Sequence, residues 1–347
     1  MLTVAIITKN RPDFLERLLD YFASVNYKYY INILDSSGPE GLARAKAAIR
    51  ELEGKLKITY IEGPELDSIA SAKKVVESSA TPYTVFLPDD DILVPNALYK
   101  CVDFLHANAE YSAACGLGVI LRLQPDGPAG EIISLGRYRL PVNEQPSAAQ
   151  RITDYFNHYS PTLFCVARTD IMKQMYKDTD LFKDNSFGGE IFQSSFLVVC
   201  GKVKQLDCLY LVRQDHKRRY MPLATFDWLT QPQWQPSYTS FFKILASKLS
   251  EVDGIKKEEA ERLIRQAFSG FLLKALNADM EIEFINPLLK LKYRLKNIPL
   301  LGALLHYFKT RVLSLDKLSQ QSLLSSYSFY HGDFMPIYRL LTRNTIS

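Results

Sequence analysis

The sequence predicts an α/β fold: a mostly parallel, Rossmann-like mixed sheet with helices on both faces, followed by a C-terminal helical extension. Three observations carry this. Short β-branched runs alternate with amphipathic segments through about residue 90. The pattern then turns helical after a punctuated stretch at 221–236, marked by Pro222, Pro232 and Pro236. Finally, 347 residues with 47% hydrophobic and 23% charged content suit a chain with a sizeable core. At roughly 150 residues per domain, that length suggests two domains or one large domain with an appendage. The expected division is 1–220 and 221–347.

Each element follows from a local pattern. "TVAIIT" (3–8) reads as a buried strand. In "KNRPDFLERLLDYF", Asn10 is a candidate N-cap, Pro12 fits a first helical turn, and Phe14, Leu15, Leu18, Leu19 and Phe22 recur at helical spacing. "YYINIL" (29–34) and "LKITYI" (56–61) are the next strands, separated by a helix over 40–52. A helix over 68–79 leads to the strand "YTVFL" (83–87). Beyond it, 112–123 and 162–168 read as strands, 147–157 and 189–200 as helices, and "KVKQLD" and "CLYLVR" as further strands. Helices are expected at 238–250, 256–277 and 299–313.

Composition excludes several classes. The net charge of +4, from 42 basic and 38 acidic residues, is too even to argue for nucleic-acid binding. Cys101, Cys115, Cys165, Cys200 and Cys208 are odd in number and lack CxxC spacing, so reduced, buried thiols are expected. The N-terminus has no secretory pattern, and "IPLLGALLHYF" (298–308) is too short to span a membrane. A cytoplasmic protein is expected. Residues 288–311 mix aliphatics with Lys290, Lys292, Arg294, Lys296, Lys309 and Arg311, so this stretch either packs on the core or lies on an anionic membrane surface.

The chemistry concentrates at strand ends, where ligands bind in open α/β sheets. Thr8 and Arg11 follow the first strand and Asp35 ends the second. Asp89, Asp90 and Asp91 follow the fourth. Three adjacent carboxylates raise one another's pKa unless a cation compensates, and such oxygen-rich sites suit Mg²⁺ or Mn²⁺. Neither GxxxxGK[ST] nor GxGxxG is present, so a nucleotide here would be held through a metal. The plainer alternative makes Asp91 the N-cap of the helix that follows.

"YTVFLPDDDILVPNAL" resembles the acidic (DXD-type) motif of GT-A fold glycosyltransferases, especially the inverting family 2, and "VAIITKNRPDFLERLLDYF" and "INILDSSG" resemble that family's opening segments. The resemblance covers about 1–220. It implies a metal-dependent transfer of a sugar from a nucleotide-sugar donor, UDP-sugar favoured, to a hydroxyl of a saccharide, lipid-linked or protein-linked acceptor. That activity belongs to bacterial-type surface polysaccharide or glycoconjugate synthesis. By the same resemblance, Thr8, Arg11 and Asp35 contact the nucleoside, Lys73 or Lys74 faces the diphosphate, and Asp89, Asp90 and Asp91 divide ribose and metal contacts. Pro88 stands where many relatives carry the motif's first acid, so the register within the trio stays open, with Asp90 favoured as metal ligand.

Inverting transfer needs a base to take the acceptor proton. "DNSFGGEIFQ" resembles the family's G-E-D segment with Ile191 in place of the second acid, which points to Glu190, with Asp184 second. "LVRQDHKRRY" resembles the segment near the diphosphate: Arg213 and Arg218 would contact phosphate, and His216 would complete the metal shell or hydrogen-bond a phosphate. Two other readings remain at this stage: a nucleotidyltransferase-like enzyme, and a non-catalytic nucleotide-sugar-binding protein of the same fold.

Overall fold

The computed structural model describes residues 1–283 and 316–342. The helix expected at 299–313 and the basic stretch 288–311 lie outside the described residues. Nine described strands form one mixed sheet in the spatial order Lys57–Glu62, Tyr30–Asp35, Leu2–Thr8, Tyr83–Pro88, Val166–Arg168, Tyr111–Gln124, Lys202–Gln214 and Ile92–Leu93, with Glu131–Tyr138 paired to Tyr111–Gln124.

The first half is a parallel unit. Strands β1 (Leu2–Thr8), β2 (Tyr30–Asp35), β3 (Lys57–Glu62) and β4 (Tyr83–Pro88) alternate with helices α1 (Pro12–Ser24), α2 (Pro39–Glu51) and α3 (Ser68–Glu77). β1 lies between β2 and β4 and is buried on both faces, hence its unbroken apolar run. Register places Thr8 opposite Asp35 and Ile7 opposite Pro88, so the carboxyl ends of three strands share one rim.

The turn after β1 differs from expectation. The N-cap of α1 is Arg11, with no side-chain cap, and Pro12 opens the helix. Asn10 instead adopts a left-handed conformation (φ 55°), which asparagine tolerates better than most residues. Its amide donates to Ser37 Oγ at 2.7 Å and its Oδ1 accepts the Gly38 amide at 3.0 Å. It thereby ties the first strand–helix turn to the second.

The second half breaks the parallel pattern. β5 (Ile92–Leu93) precedes α4 (Pro95–Ala107), whose N-cap is Val94 rather than Asp91. β6 (Tyr111–Gln124) pairs antiparallel with β7 (Glu131–Tyr138) and with β8 (Val166–Arg168), and parallel with β9 (Lys202–Gln214). β8 is shorter than the strand expected at 162–168, because Cys165 N–H closes a turn onto the Thr162 carbonyl. β7 was not expected: it is an edge strand with one side chain buried, Ile132, so it lacks an alternating signature. β9 is continuous where two strands were read. α5 (Ala148–Asn157) starts from a Ser147–Gln150 capping box, and α6 (Thr169–Lys177) follows β8 directly.

The C-terminal helices share the core of the sheet. α7 (Phe192–Cys200), α8 (Thr225–Leu229), α9 (Trp234–Asp253) and α10 (Lys257–Glu283) pack around Phe187, whose ring lies 5.0 Å from Trp228 and 5.2 Å from Phe241. After the undescribed segment, α11 (Gln320–Leu324) and α12 (His331–Leu341) return to α1, and the Leu341 carbonyl accepts the Gly130 amide at 2.8 Å. All five cysteines are free, and Cys200 alone is not fully buried. Among the described residues, no helix is long and apolar enough to cross a membrane.

Candidate active site

β4 ends in a turn that delivers all three carboxylates to the rim. Each is held differently. Asp89 Oδ2 accepts the Thr8 hydroxyl at 2.6 Å, and its Oδ1 lies 2.5 Å from Arg11 Nη2. Asp90 Oδ2 accepts from Arg11 Nη1 at 2.9 Å and faces His216 Nε2 at 2.8 Å. Asp91 Oδ2 accepts Arg213 Nε at 2.8 Å and its Oδ1 accepts the Gln214 amide at 3.1 Å. The trio is almost wholly buried, so open water does not screen it.

The consequence is a split in proton affinity. Burial raises Asp89 to about 7 and Asp91 to about 6, with Arg11 and Arg213 respectively opposing the rise. Asp90 moves the other way, to about 2: burial would raise it, but the His216 hydrogen bond and Arg11 outweigh that penalty. Asp90 is therefore the member that most favours the charged form. Its second oxygen, Oδ1, is buried and without a hydrogen-bond partner, an arrangement that favours an incoming cation.

His216 is fixed from two sides. Its ring stacks on Phe14 at 4.7 Å, and its Nδ1 accepts the Arg218 amide at 3.1 Å. That contact leaves the proton on Nε2, directed at Asp90. In this tautomer His216 is a hydrogen-bond donor, and metal ligation through Nε2 would require Nδ1 to release the Arg218 amide. Arg218 itself pairs with Asp13 and lies 4.7 Å over the Phe14 ring. Among the described residues, no group of three acids, histidines or cysteines is arranged to hold a metal ion.

The opposite wall carries Glu190. It sits in a π-helical turn, Phe187–Ile191, that precedes α7; such turns often mark functional sites. Gly188 lets this turn pack: a Cβ there would meet Ile69 Cδ1 at 2.7 Å and Phe182 Cβ at 2.8 Å. Glu190 Oε1 accepts the Tyr159 hydroxyl at 2.7 Å. Burial raises its pKa, while Tyr159 and Arg213 pull the other way. Arg213 thus acts on Asp91 and Glu190 alike and stands between the two walls. It also donates to the Tyr138 hydroxyl at 2.9 Å and lies 4.7 Å over the Phe164 ring.

Asp184 has a different place. Its Oδ1 accepts the Phe187 amide and its Oδ2 the Trp228 indole N–H, both at 2.8 Å, so it caps the turn bearing Glu190. Asp35 is also engaged, accepting the Ser37 amide and the Tyr60 hydroxyl at 2.8 Å each. Lys73 pairs with Asp180 and the Lys177 carbonyl, and Lys74 is exposed on α3. The strand ends therefore gather Thr8, Arg11, Asp89, Asp90, Asp91, Arg213 and His216 into one bonded cluster, with Glu190 within the electrostatic reach of Arg213, while the two lysines stand apart.

Sequence reasoning missed Arg17, Gln214, Tyr138 and Tyr159. Arg17 had a signal: it is three residues after Phe14 and four before Tyr21, on the buried stripe of α1. Tyr138 had none, because its strand was not legible.

Residues 3–159 match the model of glycosyl transferase family 2. Among solved structures, the chain is similar to S. aureus TarS, at 11% identity and a TM-score of 0.49, over 77% of this chain and 42% of that one. It is also similar to S. aureus TarS 1–349 in complex with UDP-GlcNAc, at 12% identity and 0.49, over 78% and 72%. The chain thus spans less than half the length of the first of these. No curated protein matches. Over residues 3–159, a little under half of its length, the chain is thus similar to glycosyl transferase family 2.

Proposed function

We propose that the chain transfers a sugar from a nucleotide-sugar donor to an acceptor hydroxyl in a single inverting displacement, with Glu190 as general base. The observation that carries this reading is a pair of unlike carboxylates, one at the end of β4 and one in the turn before α7, with Arg213 acting towards both sides. Asp90 is fully charged with a vacant buried oxygen, and Glu190 is raised in pKa with a single hydrogen bond to Tyr159. Asp89 and Asp91 are also raised, but both are completely buried and bonded on both oxygens or paired with arginine, so no acceptor hydroxyl reaches them.

The donor diphosphate would lie along Arg11, Arg213 and Arg218, whose planar guanidinium groups suit paired phosphate contacts. His216 would keep its Nε2–H on Asp90 and so orient that carboxylate. Thr8, Asp35 and Tyr60 line the rim where the nucleoside would sit; a UDP-sugar is the favoured donor on the family likeness. The residues present fit a divalent cation, Mn²⁺ or Mg²⁺, held by Asp90 through Oδ1, with remaining positions left to donor oxygens and water. Bound there, it would offset charge developing on the leaving diphosphate. Asp91, with both oxygens engaged, would orient Arg213.

Glu190 would accept the proton of the attacking hydroxyl, with Tyr159 holding its carboxylate in place. Asp184 would fix the turn that carries it. The helical region from 221 would shape the acceptor site, or dock the enzyme on the cytoplasmic face of a membrane together with 288–311. The acceptor would then be a saccharide, lipid-linked or protein-linked glycan of a surface polysaccharide. The test is release of nucleoside diphosphate from a panel of nucleotide sugars with and without Mn²⁺. Metal-dependent release that is lost in Asp90→Ala supports the reading. No release from any donor overturns it.

A further inference from the structure

One buried cation beside the triad makes no ion pair among the described residues. Arg17, on α1, is 6% exposed, and its guanidinium binds three oxygens that are not carboxylates. Nη2 donates to the Asp90 backbone carbonyl at 2.6 Å. Nη1 donates to the Gln214 side-chain oxygen and, at 3.1 Å, to the Pro128 carbonyl. Each acceptor belongs to a different segment: the β4–β5 turn, the end of β9, and the β6–β7 loop.

The network extends one bond further on each side. Gln214 Nε2 donates to the Gly127 carbonyl at 2.7 Å, and the Gln214 backbone amide holds Asp91. The same loop is gripped by Lys217 N–H on Asp126 at 3.2 Å and, at its far end, by the α12 carbonyl of Leu341. Below, the Arg17 guanidinium lies 4.9 Å over the Phe14 ring that also carries His216.

Two other arginines clasp carbonyls in this way, and they show what is different here. Arg151 takes the Val198 and Val199 carbonyls at the end of α7, and Arg168 takes those of Leu105 and Asn108 at the end of α4. Both bind at a helix C-terminus, where cations are favoured, although Arg151 also takes the Gln145 and Pro146 carbonyls and Arg168 that of Tyr111. Arg17 serves no helix end. Desolvating a guanidinium is costly, and three carbonyl-type acceptors do not return an ion pair.

We infer that Arg17 is a positioning residue for donor binding, which sets the Asp90 peptide and the Gln214–Gly127 contact so that the Asp90 carboxylate faces the diphosphate. The inference rests on the proposed nucleotide-sugar reading. Lysine cannot reach three divergent acceptors from one nitrogen with fixed fork geometry, so Arg17→Lys should weaken the site while keeping the charge.

The test compares Arg17→Lys, Gln214→Met and Arg168→Lys in the full chain. Binding of nucleoside diphosphates is read by calorimetry with Mn²⁺ present, transfer kinetics by diphosphate release, and stability by thermal melting. Arg17→Lys and Gln214→Met should each raise the donor KM and the diphosphate Kd about tenfold, with kcat changed less, and their effects should be non-additive because they share one network. Arg168→Lys should lower the melting temperature and leave KM at the wild-type value. A wild-type KM in Gln214→Met, or in a folded Arg17→Lys whose only change is a melting shift like that of Arg168→Lys, overturns the inference. If Arg17→Lys does not fold, Gln214→Met alone decides. Wild-type protein that binds no nucleoside diphosphate overturns this inference together with the reading it rests on, whereas normal wild-type binding with unaffected variants overturns this inference alone.

Discussion

The two walls of the crevice treat carboxylates in opposite ways. On the sheet side, three acids meet Arg11, Arg213 and His216 at 2.5–2.9 Å. On the helical side, Glu190 meets one neutral hydroxyl, that of Tyr159. The difference separates two kinds of work. A carboxylate held by a guanidinium and a ring N–H, such as Asp90, stays ionised and holds charge in place but has little appetite for a proton. A carboxylate kept in low dielectric with one weak donor, such as Glu190, binds protons more readily and is the better base.

The largest expected effect comes from the helical wall. Glu190→Gln keeps the Tyr159 contact and removes proton acceptance. Its kcat should fall about 10²–10⁴-fold, with the diphosphate Kd unchanged within about twofold. Stability adds a signed check. Burial raises the pKa of Glu190 above its unfolded value, so the protonated form is the one the fold favours. Its contribution is complete below the ordinary glutamate range and fades as pH rises through the raised folded value. Glu190→Gln should lose that slope in melting temperature against pH. Transfer at wild-type rate in this variant would remove the helical wall from the chemistry.

The sheet wall should respond next. Asp90→Asn retains the size of the side chain but removes the charge that Arg11 and His216 stabilise. A loss of about 10²–10³-fold in kcat/KM is expected, of the order seen when a single electrostatic stabiliser is removed. Unlike Glu190→Gln, it should weaken the binding of nucleoside diphosphate with Mn²⁺. If the two variants lose the same kinetic parameter, the division of labour between the walls fails.

Tyr159→Phe gives a subtler comparison. The Tyr159 hydroxyl lowers the pKa of Glu190, so its removal should move the acidic limb of the kcat–pH profile upward. Activity at low pH falls while the plateau at high pH is largely kept. An unmoved limb would assign the titration to another group.

The sheet wall was far more legible in the sequence than the helical one, for a physical reason. Buried parallel strands such as Val4–Ile7 are apolar without interruption, and their ends expose chemistry in chain order, so Thr8, Asp35 and Asp89–Asp91 could be placed together from spacing alone. The helical wall is assembled by tertiary packing. Tyr138 lies on an edge strand with no alternating pattern, Tyr159 follows α5, and Glu190 rests in a π-turn held by Asp184 and Trp228. Asn10 shows the same limit at small scale: its residue type suits a cap, but Ser37 and Gly38, 27 and 28 residues away, draw it into a left-handed link. Arg17 was partly legible, since its spacing from Phe14 puts it on the buried stripe of α1, but its acceptors come from segments distant in sequence.

The smallest expected effect tests whether the walls are independent. Thr8→Val is nearly isosteric and removes the hydroxyl that donates to Asp89 Oδ2. Asp89 is fully buried, so the loss of one donor should cost about 1–3 kcal/mol of stability, measured by denaturant unfolding at neutral pH. The sign follows from burial: Asp89 already sits at about 7, and the Thr8 hydroxyl is one of the contacts restraining it. Without that contact the folded state prefers the protonated acid more strongly, so the stability difference from wild type should narrow as pH falls from the alkaline side towards 7 and change little below it. Donor KM should rise a few-fold. The acidic limb assigned to Glu190 should stay where it is, because nothing in the contact between Thr8 and Asp89 touches the Tyr159 hydroxyl. A shift of that limb in Thr8→Val would mean that the crevice titrates as one coupled unit, and that the contrast between its walls is a matter of degree rather than of separate roles.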